Sequence, residues 1–273
     1  MNRNVACFAA LLAFGALPAR AAITVTVNGN SASASVSLPG GLGADVTVSF
    51  ESVVGLSPAN LGLSAERISP TDPSLLSRLS GSAIPAGFPV LLRIEPPATG
   101  GLSFSGVATL EIHTHNLQFT PNCPLRLFAA PLGGRFEDIT AGMGVGSYRA
   151  RGTKGGFSEF LIVTDPRPVN QVIAAKFERL DRLLDEYASA VPGALYDDLE
   201  ARLDAARSEA ARGATLEAIR QIDGFLSVVE QHSGSDIPNV WRSARDLPNV
   251  AGYLRAAAMT LRFSLGLKSD LAG

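Results

Sequence analysis

Two patterns of apolar and polar residues divide the chain. From Ile23 to about Asp165, apolar or small residues alternate with polar ones, the period-two signature of half-buried strands. "ITVTVNGNSASASVSL" shows it first, with Asn28-Gly29-Asn30 interrupting as a turn. Further strand-like runs are "ADVTVSFESVVGL", "PVLLRIEP", "GLSFSGVATLEIHTHNLQF", "PLRLFAAP", "VGSYRARGT" and "GFSEFLIVTD". Gly and Pro punctuate nearly every gap between them. "GTKGG" predicts a hairpin turn, because glycine accepts the positive φ such turns need. "DPSLLSRLSG" (Asp72 to Gly81) is the one place where a helical turn is expected. Short strands at regular spacing predict an all-β sandwich over residues 22–165.

"TDPRPVN" (Thr164 to Asn170) ends this pattern with two prolines, and residues 166–170 read as a linker. The apolar period then becomes helical. Val172, Ile173, Phe177, Leu180, Leu184 and Tyr187 share one face, and Pro192-Gly193 breaks the run. Leu195, Leu199, Leu203 and Ala206 follow in phase, closed by Gly213 as a C-cap. Thr215, read as an N-cap or nearly so, opens a third run with Leu216, Ile219, Ile222, Leu226 and Val229 in register. "NVAGYLRAAAMTLRFSLG" predicts a last helix. The short breaks predict an antiparallel helical bundle over residues 171–273. The fold class expected is α+β by segregated domains.

The N-terminal stretch alters where the chain is placed. Arg3, an apolar run from Val5 to Leu17, and Ala19-Arg20-Ala21 form a secretory signal peptide pattern over residues 1–21, with cleavage expected after Ala21. The mature chain then has about 250 residues, enough for a core without disulfide staples. Cys7 leaves with the signal peptide, so Cys123 stands alone and reads as a small buried hydrophobe. Net charge moves from −2 to about −4, because Arg3 and Arg20 go and no acid goes with them. That balance argues against a nucleic-acid partner. No later run is long and apolar enough for a transmembrane helix. The expected location is periplasmic or extracellular.

"LEARLDAARSEAARGATLEAIRQIDGFLSVVEQHSG" (Leu199 to Gly234) resembles the FIMAH-type module, a helical hairpin of bacterial secreted and surface proteins. Ala210, Ala211, Arg212, Gly213, Ala218, Phe225, Val228 and Val229 carry the resemblance, and Phe177, Leu180 and Leu183-Leu184 fit its preceding helix. It implies an accessory or interaction unit and says nothing of catalysis. The whole layout resembles an uncharacterised family of secreted proteobacterial proteins.

The search for chemistry centres on "EIHTHNLQF" (Glu111 to Phe119). In a strand, Glu111, His113 and His115 share one face while Leu110 and Ile112 face the core. These three are the candidate metal-ligating residues. Alternate residues lie about 6.5–7 Å apart along a strand, so two adjacent members could share an ion and a third ligand must come from elsewhere. The plainer reading, solvent-facing strand polarity, is preferred. No G-x-S-x-G, P-loop, dinucleotide fingerprint or H-E-x-x-H is present. The acidic pairs Glu137-Asp138, Asp185-Glu186 and Asp197-Asp198 read as solvated charges, with Glu137-Asp138 in a loop and Asp197-Asp198 in the first turn of a helix. His232 reads as a residue of a last helical turn. Trp241 reads as an anchor closing the bundle. No catalytic residue and no cofactor is assigned. The function expected is a secreted, non-enzymatic binding or structural protein of the bacterial envelope or exterior, its partner an envelope protein or glycan. The alternative is a metal-dependent hydrolase with a loop-built site near the His-x-His strand.

Overall fold

The structure, a computed structural model, describes residues 21–120 and 122–272, with side chains described as far as Ser269. Apart from Ala21, the expected signal peptide lies outside the described residues, and Cys7 with it. Strands fill the first two thirds and long helices the last third. The first sheet runs β1 (Ala22–Asn28), β2 (Ser31–Leu38), β3 (Leu42–Val54), β6 (Ser103–Gln118), β10 (Ser147–Lys154), β9 (Thr140–Gly144). The second runs β4 (Leu63–Arg67), β5 (Val90–Ile94), β11 (Glu159–Thr164), β7 (Leu125–Ala130), β8 (Glu137–Asp138). Every pairing in both sheets is antiparallel.

The strand alternation does what the sequence says. In β2, Ala32, Ala34, Val36 and Leu38 are buried while Ser33, Ser35 and Ser37 face out. In β6, Leu110 and Ile112 are buried and Glu111 and His113 are half-buried on the other face. The inward residues of both sheets meet in one cluster, with Val46, Val48 and Ile112 from the first and Leu92, Leu127 and Ile162 from the second. β7 and β11 are instead buried almost throughout. Their second face, Phe128, Ala130, Leu161 and Val163, lies under Leu75, Leu79 and Ile84. The one-turn helix α2 (Pro73–Leu76), capped by Asp72 through the Ser74 N–H at 2.8 Å, supplies part of that cover, in the segment where a helical turn was expected. α1 (Pro58–Leu61) is a similar single turn.

Four long helices follow: α3 (Val169–Glu186), α4 (Gly193–Ala211), α5 (Thr215–Gln231) and α6 (Val250–Ala272). Their apolar stripes share one core of Phe177, Leu180, Leu199, Ile222, Phe225 and Leu254, among others. Gly213, at φ 80°, ends α4 as expected, but one residue past the cap position, which Arg212 holds. Thr215 is the first residue of α5 and not its cap, and Leu216 is exposed, one position off the buried stripe.

The switch from strands to helices at 166–170 is a change of secondary structure more than of packing. β12 (Val240–Arg242) leaves the helical part and pairs with β6 at Ser103–Ser105, where β10 has ended opposite Ala108. Trp241 therefore packs in the sheet core, against Phe104 and Phe157 at ring distances of 5.4 and 5.2 Å, and not in the helical core where it was expected. "GTKGG" is not a hairpin turn either. β10 and β11 belong to different sheets, and Gly155 and Gly156 do not take positive φ. They are glycines because of what lies against them. A Cβ on Gly155 would sit 2.5 Å from the Tyr253 nitrogen, and one on Gly156 would sit 3.0 Å from the Trp241 ring.

α6 joins the two parts. Fully buried Asn249 donates to the carbonyls of Gly106 (2.7 Å) and Gly155 (3.1 Å) and accepts from the Gly252 N–H (2.9 Å). One amide side chain thus caps the helix and ties it to β6 and to the end of β10. Asn249→Ala removes a cap and orphans two buried carbonyls, so it should lower unfolding free energy by about 2–4 kcal/mol, read by chemical denaturation. A change below about 0.5 kcal/mol would show that water replaces the amide there.

Candidate functional site

Among the described residues, polar or aromatic groups come together at several places, and three of them bear on function. The first is the outer face of the larger sheet. Register sets Asp45 of β3 directly opposite His113 of β6, and Arg149 of β10 opposite His113 on the other side. Asp45 Oδ2 lies 3.0 Å from His115 Nε2 and 3.9 Å from His113 Nδ1. The hydrogen bond from His115 holds the Asp45 carboxyl below the usual carboxylate range. Glu111 stands apart from the histidines. It pairs with Arg151 at 2.8 Å and Arg149 at 3.4 Å. Of the three candidate metal-ligating residues, the structure therefore brings together His113 and His115, adds Asp45, and engages Glu111 elsewhere. Asp45 lies 70 residues before His115, and only the pairing of β3 with β6 places it there.

The second place is a cleft of about 560 Å³ between α3 and the β7–β8 connection, lined by Arg135, Phe136, Glu137, Asp138, Arg167, Lys176, Arg179 and Arg182, among others. Glu137 and Asp138 form strand β8, not a loop, because they pair with Phe128 and Ala129. Glu137 is held by Arg179 (2.9 Å) and Arg182 (3.0 Å). Asp138 and Lys176 are both buried, with Nζ 2.9 Å from Oδ2 in an ionic contact lacking hydrogen-bond alignment. Lys176 also donates to Thr260 O (3.1 Å) and Ser264 Oγ (2.9 Å) of α6. Burial most strongly opposes ionisation of Asp138, but Lys176 and the Thr140 hydrogen bonds together outweigh it and hold the carboxyl below its ordinary range. Burial pulls Lys176 below the usual lysine range, against the attraction of Asp138. Three oxygens around Nζ support the charged pair. Nearby, Lys154 is half-buried and forms no ion pair among the described residues. Desolvation, with Arg179 adding repulsion, pushes it down to about 7.

The third place is a groove of about 390 Å³ lined by Phe157, Tyr187, Trp241 and Tyr253, with Arg245, Asp246, Leu132 and Leu247 at its mouth. Tyr187 and Tyr253 stack at 5.7 Å. Arg245 has φ 57°, uncommon for a residue with a side chain, and makes no ion pair among the described residues. These aromatics come from β12, α6, the end of α3 and the loop before β11, so no sequence motif links them.

The other residues singled out by sequence are accounted for structurally. Cys123 is buried in the sheet core. His232 is the C-cap of α5 and contacts Asp236 at 2.7 Å. Asp185 accepts from Tyr196 (2.9 Å). α4 starts at Gly193, which puts Asp197 and Asp198 past its first turn, with Asp198 paired to Arg202 at 3.1 Å. Among the described residues, no helix is long and apolar enough to cross a membrane.

A family model described as "Family of unknown function (DUF6689)" matches residues 7–268. The chain belongs to this family. No curated protein matches it.

Lys176→Met alone leaves Asp138 uncompensated and should cost about 3–5 kcal/mol, whereas Lys176→Met with Asp138→Leu should recover most of that loss. Denaturation of the three proteins checks both. Lys154 has a folded pKa near 7 against an ordinary 10.5, so the unfolded state binds the extra proton between those values and this group's penalty is relieved as pH rises through the window. Below pH 7 the penalty is fully present. Lys154→Met should therefore raise Tm more at pH 6 than at pH 10, and an equal gain at both would exclude a desolvated amine.

Proposed function

We propose that the protein is a secreted, non-enzymatic binding protein of the bacterial envelope or exterior, a β-sandwich carrying a helical bundle, and that it holds a glycan in the groove at Trp241. The sandwich reading is supported by the single cluster shared between the inward faces of both sheets. Secretion is supported by the signal-peptide pattern of residues 1–21, and an accessory role by the FIMAH-type resemblance. The observation that carries the binding reading is the groove itself. Four aromatic side chains, with Trp241 buried at their base, and two exposed leucines meet the Arg245 guanidinium, which makes no ion pair among the described residues, and the Asp246 carboxylate, which Arg242 holds, within one concavity. Sugars present apolar C–H faces edged by hydroxyls, and aromatic surface beside a few polar groups suits them. The acids of the expected pairs that are fixed here sit against arginine, lysine or tyrosine, which does not favour acid–base work on a glycoside.

A metal-dependent hydrolase near the His-x-His strand is the second reading. The approach of Asp45 to both histidines favours it.

Trp241 is the only tryptophan in the chain, so its emission reports on the groove directly. Titration with soluble peptidoglycan fragments and with neutral and acidic bacterial exopolysaccharide oligomers should give a saturable change with at least one class. Arg245→Gly and Leu132→Ser should weaken that binding by about tenfold or more without lowering stability, since glycine accepts φ 57°. Unchanged emission with every class, together with hydrolysis of any of them by the metal-loaded protein, would favour the second reading.

A further inference from the structure

We propose that Asp45, His113 and His115 form a binding site for a divalent transition-metal ion of the zinc class on the outer face of the larger sheet. This site goes beyond the glycan reading, because it lies on a different face and no reaction is claimed for it. One donor atom from each residue can be chosen so that all three lie within 4.8 Å of one another. Tetrahedral zinc with bonds of about 2.0–2.1 Å separates its ligands by roughly 3.3 Å. The Asp45–His115 distance of 3.0 Å and the Asp45–His113 distance of 3.9 Å fall on either side of that value. His115 and Asp45 are exposed and His113 is half-buried, so small rotations of exposed side chains can close the remaining gap. Two imidazoles and one carboxylate suit zinc, nickel, cobalt or copper, whereas calcium and magnesium prefer oxygen alone. The fourth position faces solvent and is open to water or to a donor from a partner.

The scaffold sets these groups side by side. Two come from one strand at the period-two interval and the third from the neighbouring strand in register. Gly43 makes room for the imidazole, since a Cβ there would sit 2.8 Å from His115 Nδ1. Asn116 fastens the same end of β6 to the β2–β3 turn, accepting from the Gly43 N–H at 2.9 Å and donating to Gly41 O at 3.0 Å. Arg149 is the one cation opposite His113, and Glu111 engages it. Glu111 thus offsets the charge that would oppose a dication, and with its oxygens held by two arginines it is not a ligand.

That distinction sets the experiment. The protein lacking residues 1–21 is stripped with chelator and titrated calorimetrically with zinc and, separately, with cobalt, whose visible spectrum reports coordination geometry. The expected result is one equivalent of zinc bound and a tetrahedral or five-coordinate cobalt band. Asp45→Asn, His113→Ala and His115→Ala should each weaken binding by about tenfold or more. Glu111→Gln and His232→Ala should bind as the parent does. Circular dichroism checks that each variant is folded, and a variant that is not is replaced by Gly43→Ala, which displaces His115 and should also weaken binding. Absence of stoichiometric zinc would overturn the proposal. So would zinc binding that survives Asp45→Asn or that Glu111→Gln weakens equally. Because the groove is read by Trp241 emission and this site by metal titration, failure of one leaves the other standing.

Discussion

The start of α6 is pressed against the backbone of the larger sheet, and most of the molecule's organisation depends on that contact. It is a contact that side chains would prevent. A Cβ on Gly252 would lie 2.5 Å from Gly106 O, and Gly155 meets the Tyr253 backbone as closely. Bare backbone brings unpaired carbonyls with it, and burying those without partners is costly. Asn249 answers the carbonyls of Gly106 and Gly155 from one amide while its own oxygen is satisfied by the Gly252 N–H. Arg255, one turn further on, grips both oxygens of Glu51 in β3 at 2.8 and 2.9 Å. With α6 placed so, the other helices have a wall to pack on, and Trp241 is drawn into the sheet core.

The far part of α6 makes a different bargain with the sheets. There Thr260 and Ser264 meet Lys176, and through it Asp138 of β8. A buried ion pair of this kind adds little stability over an apolar substitute. What it does supply is a penalty for any arrangement in which α3, α6 and β8 fail to meet, since each partner alone would be a buried unmatched charge. Asn249 and Lys176 thus fix α6 at two separated points, one by neutral hydrogen bonds and one by charge.

The two binding surfaces proposed above are consequences of this assembly and of sheet register, respectively. The groove exists because α6 and β12 bring Tyr253 and Trp241 to Phe157 and to Tyr187 at the end of α3. The Asp45–His113–His115 cluster owes nothing to the helices. It follows from a β3–β6 pairing that also lays Thr47 beside Glu111 and Ser49 beside Thr109, so this part of the outer face is a row-by-row array of polar side chains.

Sequence by itself determined the local choices. The serine and alanine alternation of β2, the Leu110 and Ile112 core face of β6, the apolar stripes of α3 to α5 and the Gly213 stop were all legible, because periodicity reports which face of one element is buried. Even there Leu216, in phase by spacing, is exposed, and Lys176 lies buried on a face read as apolar. What periodicity does not report is which other element does the burying. "GTKGG" looked like a turn because glycine is common in turns, yet its glycines answer a helix about 100 residues on. Trp241 looked like part of the helices because helices surround it in sequence. Glu111 is a candidate ligand by its shared strand face with the histidines, while Asp45, the residue beside both of them, is distant in the chain. Local spacing is written in the order of residues; strand partnership and helix docking are chosen by the balance of burial across the whole chain, so only the tertiary structure decided which groups meet.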